Sequence, residues 1–261
     1  MKENRLLSRF REGAVPVGHM IWEFGTRGIA RMTELAGLDF VLLDTEHGAF
    51  APDQIADLIA WYRATAVTPI VRVPQLAFPM IPRTLDAGAQ GIMMPNVMNA
   101  ATARQVVQAA KYAPVGRRGL GLGGSATAYE TGEARTQMDL LNAQTGIICQ
   151  IESREALTEL DAIASVPGVD VLWVGQADLS QSLGIPGEFD NPLFLDALRA
   201  VVDCCDRHGL GAGIQPNDPQ QCRNWMSLGF NVVSYNVDTV LYTDALTKAR
   251  AMVADLARQT M

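Results

Sequence analysis

The chain has 261 residues, 48% of them hydrophobic and 19% charged, and carries a formal net charge of −7. That acidity, without any Lys/Arg run or aromatic–basic interleaving, argues against a nucleic-acid surface, and no apolar run approaches the roughly 20 residues of a membrane span. MKENRLLSRFREG at the N-terminus has no apolar core long enough for a signal peptide, and Cys149, Cys204, Cys205 and Cys222 form no CxxC and no metal-like spacing with histidine, so a cytoplasmic protein with reduced, packing cysteines is expected.

Short apolar runs recur along the chain: PVGHMIW (16–22), FVLLD (40–44), PIVRV (69–73), GIMMP (91–95), GIICQIE (146–152), VLWVG (171–175), GAGIQP (211–216) and NVVSYNV (231–237). Longer stretches with helical period separate them, among them PDQIADLIAWYRA, ATARQVVQAAKY, REALTELDAIA, PLFLDALRAVVDCCDRH and TDALTKARAMVADLARQ. Glycine-bearing turns (AGLD, AGAQG, HGLGAG, SLGF) announce several of the runs, the signature of a helix end followed by a strand. Runs that are apolar on both faces belong to a parallel sheet covered on both sides. Eight such βα units in about 260 residues predict a closed (β/α)₈ TIM barrel, one domain spanning residues 1–261. A doubly wound sheet would usually carry a phosphate-binding glycine turn after its first strand, and WEFGTRG does not fit one.

GLGLGG (119–124) satisfies GxGxxG through Gly119, Gly121 and Gly124. The dinucleotide fingerprint needs a strand before it and a helix opening on its last glycine. Here it follows the fourth helix, in a connection of about 34 residues before strand five, and reads as a mobile loop, a lid or a subunit contact.

Barrel enzymes place their chemistry at the C-terminal ends of strands. Those positions hold Trp22 and Glu23, then Asp44, Glu46 and His47, then Arg72, Asn96, Gln150 and Glu152, Gln176 and Asp178, and finally Gln215, Asn217, Asn236 and Asp238. Glu152 and Asp178 end neighbouring strands and repel unless a cation lies between them. Oxygen-only ligands suit a hard divalent ion such as Mg²⁺ or Mn²⁺, while pairing with arginine or capping of the turns after them is the plainer alternative. His47 follows two carboxylates able to hold its tautomer; His208 sits at a helix terminus and His19 inside the first strand. Arg72 lies in an otherwise apolar strand, as an ion pair with Asp44 or Glu46 or as a clamp for an oxyanion or carboxylate. A short helix opening near Asp178, in ADLSQSLG, would offer free N–H groups to a substrate carboxylate. A Schiff-base aldolase needs a lysine in the mouth, and Lys2, Lys111 and Lys248 lie in the N-terminal tail and in helices.

LLDTEHG, VRVP, LDAGAQGIMMPNV, YAPVGRRG, QIES and VGQADLSQSLG, in this order, resemble the HpcH/HpaI family of metal-dependent (class II) 2-oxo-acid aldolases, over about residues 15–250. The resemblance implies metal ligands at Glu152 and Asp178, substrate contacts from Arg72, Gln150, Ala177 and Asp178, and an acid–base histidine at His47 backed by Asp44 and Glu46. It also implies that Asp86, in TLDAGAQG, pairs with that histidine, and that the protein is a hexamer, a trimer of dimers with each site near a subunit boundary. GQADL stands where the family commonly has GPADL, IPGEFDNP lacks a frequent histidine–proline, and QPND is polar where the family is commonly apolar. These last departures fall where the aldehyde partner is expected.

The expected activity is that of a Mg²⁺-, Mn²⁺- or Co²⁺-dependent aldehyde-lyase. It would cleave 4-hydroxy-2-oxo acids to pyruvate, or a close 2-oxo acid such as hydroxypyruvate, and an aldehyde. A CoA-thioester lyase of the citramalyl or malyl type needs a basic groove, for which the chain offers only Arg117 and Arg118. A barrel that binds a small acid without turnover would be expected to have lost one of the acid–base or metal positions.

Overall fold

The structure, a computed structural model, describes residues 2–76 and 79–260. Eight strands, β1 (Val17–Ile21), β2 (Phe40–Asp44), β3 (Thr68–Arg72), β4 (Gly91–Met94), β5 (Gly146–Ile151), β6 (Val171–Val174), β7 (Gly211–Ile214) and β8 (Val232–Val237), pair in parallel and in order. Pairing of β1 with β8 closes the barrel. Every strand expected from its apolar run is present, because strands covered on both faces need apolar residues at both parities.

The alternate side chains build two separate cores. Phe40, Leu42, Ile70, Met93, Ile148, Val171 and Val232 fill the barrel interior, while Val41, Leu43, Val71, Ile92, Ile147 and Leu172 point outward under the helices. The helix α1 (Arg5–Arg11) sends Leu6 and Leu7 into the interior core, plugging the end where the strands begin. Asn4 caps α1, its side chain accepting from Leu7 N–H at 3.2 Å, and donates to the carbonyls of Gln90 at 2.7 Å and Gln144 at 3.0 Å.

Helices α2 (Gly28–Leu35), α3 (Pro52–Arg63), α4 (Met80–Asp86) and α5 (Ala100–Ala110) follow the first four strands. The long connection after α5 is partly helical, with a 3₁₀ turn at Ser125–Thr127 and α6 (Ala134–Gln144). REALTELDAIA forms two short helices, α7 (Arg154–Thr158) and α8 (Leu160–Ala164), divided at Glu159. Beyond them come α9 (Gln176–Ser182), α10 (Pro192–His208), α11 (Pro219–Ser227) and α12 (Asp238–Thr260). Gly124 opens only the three-residue 3₁₀ turn, so GLGLGG lacks the helix that the dinucleotide fingerprint requires. Since α5 runs antiparallel to the strands, this loop lies at the plugged end and is no lid over its own barrel's mouth.

Helix α12 stands apart. Of its 23 residues only Asp238 is buried, while Leu246, Met252, Val253 and Leu256 are more than half exposed and line up at helical spacing. No helix among the described residues is long and apolar enough to cross a membrane.

The α1 plug predicts a stability effect remote from the mouth. Leu7 is 2% exposed, and Leu7→Ala is expected to destabilise the fold by about 2–5 kcal/mol, read as a lowered denaturation midpoint. An unchanged midpoint would mean that α1 does not seal the core.

Candidate active site

The open end of the barrel holds two adjoining clefts that share His47 and Asp178. The wider, about 440 Å³, is bounded by Glu46, Asn96, Glu152, Gln181 and Ser182; the deeper, about 140 Å³, by Trp22, Arg72, Gln150, Trp173, Ala177 and Gln215 among others. Of the residues expected at strand ends, Trp22, Glu46, His47, Arg72, Asn96, Gln150, Glu152, Gln176, Asp178 and Gln215 line these clefts.

Arg72 is fixed by the register of β2 and β3, which sets Asp44 directly beside it. Its Nε donates to Asp44 Oδ1 at 2.8 Å and its Nη2 to Asp44 Oδ2 at 2.7 Å, while Nη1 meets Glu46 Oε2 at 3.1 Å. Burial disfavours the guanidinium charge, but the carboxylates of Asp44, Glu46 and Glu152 outweigh it and raise the Arg72 pKa. The Nη1–Glu46 contact is an ion pair without hydrogen-bond geometry, so of the five N–H donors both on Nη1 and one on Nη2 have no acceptor among the described residues, and Arg72 lines the deeper cleft. Thr45 ties the two strand ends together, its hydroxyl donating to the Arg72 carbonyl at 2.6 Å.

This pairing corrects one expectation. Asp44 and Glu46 do not hold His47: Asp44 is fully buried on Arg72 and the Glu46 N–H, and Glu46 turns to the same guanidinium. His47 is exposed at the rim, its imidazole 6.3 Å from the Trp22 ring between centroids. Asp86 is not brought to His47 within this chain. It ends α4, ahead of β4, and so lies at the plugged end, roughly a strand's length of 13–17 Å from the rim. There it pairs with Arg118 at 2.6 Å, and within one chain it cannot orient His47. Arg118 is itself buried, stacked over the Tyr112 ring and paired with Asp86 away from the mouth.

Glu152 is 7% exposed. Its Oε1 accepts the Asn96 N–H at 2.5 Å, and its Oε2 accepts from the Gln150 amide. Asn96 offers that N–H from the left-handed region, φ 55°, which asparagine tolerates. Burial, reinforced by the charges of Asp178 and Glu46, pushes the Glu152 carboxyl up to about 7. The wall against it is Gly175, where a Cβ would lie 2.3 Å from Glu152 Oε2 and 2.6 Å from Gln150 Nε2, so only glycine lets the carboxylate in. Asp178 and Ala177 occupy the first turn of α9, which opens at Gln176 and whose N–H groups have no intrahelical acceptor. Two oxygen ligands without a cation of their own fit a hard divalent ion with room for substrate and water.

Another group of ligand atoms, from Asp161, Cys204 and His208, lies on the outer helices α8 and α10. There Asp161 is already bound by Arg207 at 2.8 Å and His208 at 3.0 Å, an ion-pair cluster away from the mouth. The lysines do not enter the site. Lys2, pushed down to about 7 chiefly by burial, donates to the carbonyls of Tyr62 and Val67, Lys111 to those of Asn142 and Thr145, and Lys248 rides on α12.

A parallel barrel with paired carboxylates, an arginine fork and a rim histidine at its mouth has the make-up of an enzyme active site. The chain belongs to the HpcH/HpaI aldolase/citrate lyase family, whose model matches residues 20–245. It is 36% identical over 256 residues to the 2-keto-3-deoxy-L-rhamnonate aldolase of Escherichia coli (strain K12), covering 95% of this chain and 92% of that protein. Among solved structures it is similar to an HpcH/HpaI aldolase from Desulfitobacterium hafniense DCB-2 (TM-score 0.90, 30% identity, 94% and 95% of the two chains). It is also similar to the citrate synthase SbnG (TM-score 0.88, 27% identity, 98% and 100%).

The raised Glu152 carboxyl has a consequence for stability. Between the ordinary value of 4.5 and about 7, the folded metal-free chain keeps a proton that the unfolded chain has released, so stability falls as pH rises through that window. Glu152→Gln should remove this slope and stabilise the metal-free protein at pH 8 by up to about 3 kcal/mol, measured by denaturation at pH 5 and pH 8. A variant less stable than wild type at pH 8 would contradict this account of Glu152.

Proposed function

We propose that the protein is a divalent-metal-dependent aldolase that reversibly cleaves 4-hydroxy-2-oxo acids to pyruvate, or a close 2-oxo acid, and an aldehyde. The observation that carries the reading is the meeting of Glu152, Asp178 and the free donors of Arg72 at one barrel mouth, where two adjoining clefts share Asp178 and which none of Lys2, Lys111 and Lys248 lines. A Mg²⁺, Mn²⁺ or Co²⁺ ion held by Glu152 and Asp178 would supply Lewis-acid polarisation of the 2-oxo acid. The first-turn N–H groups at Ala177 and Asp178 seat the substrate carboxylate, and Gln150 keeps Glu152 oriented. As the C3–C4 bond breaks, charge gathers on the 2-oxo oxygen, and the unused N–H groups of Arg72 stabilise it there. His47 takes the proton of the 4-hydroxyl, directly or through a water.

The relative's substrate suggests where to begin: a 2-keto-3-deoxy sugar acid whose aldehyde half carries hydroxyl groups. The polar Gln215 at the end of β7 is compatible with such a partner. Self-assembly is part of the proposal, since the uncovered apolar stripe of α12 favours a homo-oligomer, which the resemblance describes as a hexamer. In such an assembly an Asp86–His47 pair would have to form between two copies. Leu246→Asp with Val253→Asp is expected to lower the mass measured by light scattering; an unchanged mass would remove α12 from the interface.

Catalysis is tested by a retro-aldol assay over a panel of hydroxy-2-oxo acids, sugar acids included, with coupled pyruvate detection. EDTA should abolish cleavage and Mg²⁺, Mn²⁺ or Co²⁺ should restore it, whereas full activity after chelation would sink the metal-dependent reading. His47→Ala is expected to lose about 10²–10⁴ in rate, and Arg72→Lys about 10²–10³, because an ammonium cannot reproduce the fork. Wild-type cleavage by either variant would take that residue out of the chemistry.

A further inference from the structure

Asp238 ends the census of strand-end residues, and nothing in the proposed chemistry uses it. It is 4% exposed, and one of its oxygens, Oδ2, accepts three successive backbone N–H groups: Trp22 at 3.1 Å, Glu23 at 2.9 Å and Phe24 at 2.7 Å. The other oxygen accepts the Thr239 N–H at 2.8 Å, at the start of α12. One turn later the Tyr242 ring meets Phe24 edge-on, with centroids 5.4 Å apart. The first turn of α12 therefore grips the loop after β1 at two points.

The grip depends on a bulge. Between Gly18↔Ser234 and Met20↔Val237, β8 advances three residues while β1 advances two, and the extra residue accompanies Asn236 at φ 56°. Asparagine accepts that left-handed geometry, and a bulge of this kind re-aims the residues after it. Here they are Val237, turned into the barrel core, and Asp238, turned under the β1 loop.

That loop in turn interlocks with the one carrying His47. A Cβ on Gly48 would lie 3.0 Å from the Trp22 carbonyl oxygen and 2.3 Å from that of Asp44, and a Cβ on Gly25 would lie 2.8 Å from the Phe50 ring. The Trp22 and His47 rings then stand 6.3 Å apart at the rim. A continuous line of close contacts runs from α12 to the histidine. The opposite wall, Glu152 and Asp178, is built on β5 and α9 and does not share it.

We infer that Asp238 is a positioning residue: through the β1 loop it sets where Trp22 and His47 stand at the mouth, so that this wall of the site follows the seating of α12. The catalytic consequence rests on the aldolase reading; the placement of Trp22 does not. A residue that merely capped α12 would leave the loop alone. Asp238→Ser separates the two roles, because serine still caps a helix but is too short to span three loop N–H groups.

The test uses the full chain labelled with 5-fluorotryptophan and read by ¹⁹F NMR. The chain has four tryptophans, and the Trp22 resonance is assigned with Trp22→Phe. In Asp238→Ser the Trp22 line is expected to shift or broaden while Trp61 and Trp225 stay in place. Retro-aldol kcat/KM should fall about 100-fold, the scale of a 1 Å misplacement, with pyruvate α-proton exchange in deuterated buffer falling far less. Tyr242→Leu should move the same line by a smaller amount, and it decides the matter if Asp238→Ser does not fold. A Trp22 line unmoved in the folded variants, or four lines that move together, would overturn the inference. Should the wild type cleave none of the panel, the aldolase reading falls, and the Trp22 line still decides the placement claim.

Discussion

The mouth of this barrel is short of positive charge. Asp44, Glu46, Glu152 and Asp178 gather there, and among the described residues Arg72 is the one guanidinium that lines the two clefts. Asp44 and Glu46 divide that guanidinium between them, which makes their burial tolerable and fixes its fork. Glu152 is left with an amide N–H from Asn96 and the Gln150 side chain, neutral donors that do not offset its burial, and its carboxyl rises accordingly. The remaining imbalance is what a divalent cation would meet.

The two walls of the mouth are built differently. One is rigid from below: β5 and β6 carry Gln150 and Gly175 beside Glu152, and the glycine makes room that any side chain would fill. The other is assembled from loops, with Trp22 and His47 held by mutual packing and by the start of α12.

Much of the fold was legible because parallel barrel strands are covered on both faces, so runs such as FVLLD and VLWV carry no polar parity to obscure them. Strand-end positions were legible for the same reason: the first ionisable group after such a run stands at the mouth. What the sequence could not show is register. Only the side-by-side placement of Asp44 and Arg72 reveals that the carboxylates of LLDTEH serve the arginine on the next strand rather than the adjacent histidine. Asp86 and GLGLGG precede strands instead of following them, a clue in the chain order that puts both at the plugged end. Asp238 was visible as a strand-end carboxylate, but its grip on the β1 loop depends on a one-residue bulge at Asn236, which no periodicity announces.

The charge account is tested most directly by counting bound Mn²⁺ with electron paramagnetic resonance on the chelator-treated protein. One tightly held ion per chain is expected, lost in the Glu152→Gln, Asp178→Asn double variant and retained in His47→Ala. Retention of the ion by the double variant, or no tight binding by the wild type, would contradict the claim that these two carboxylates form a cation site.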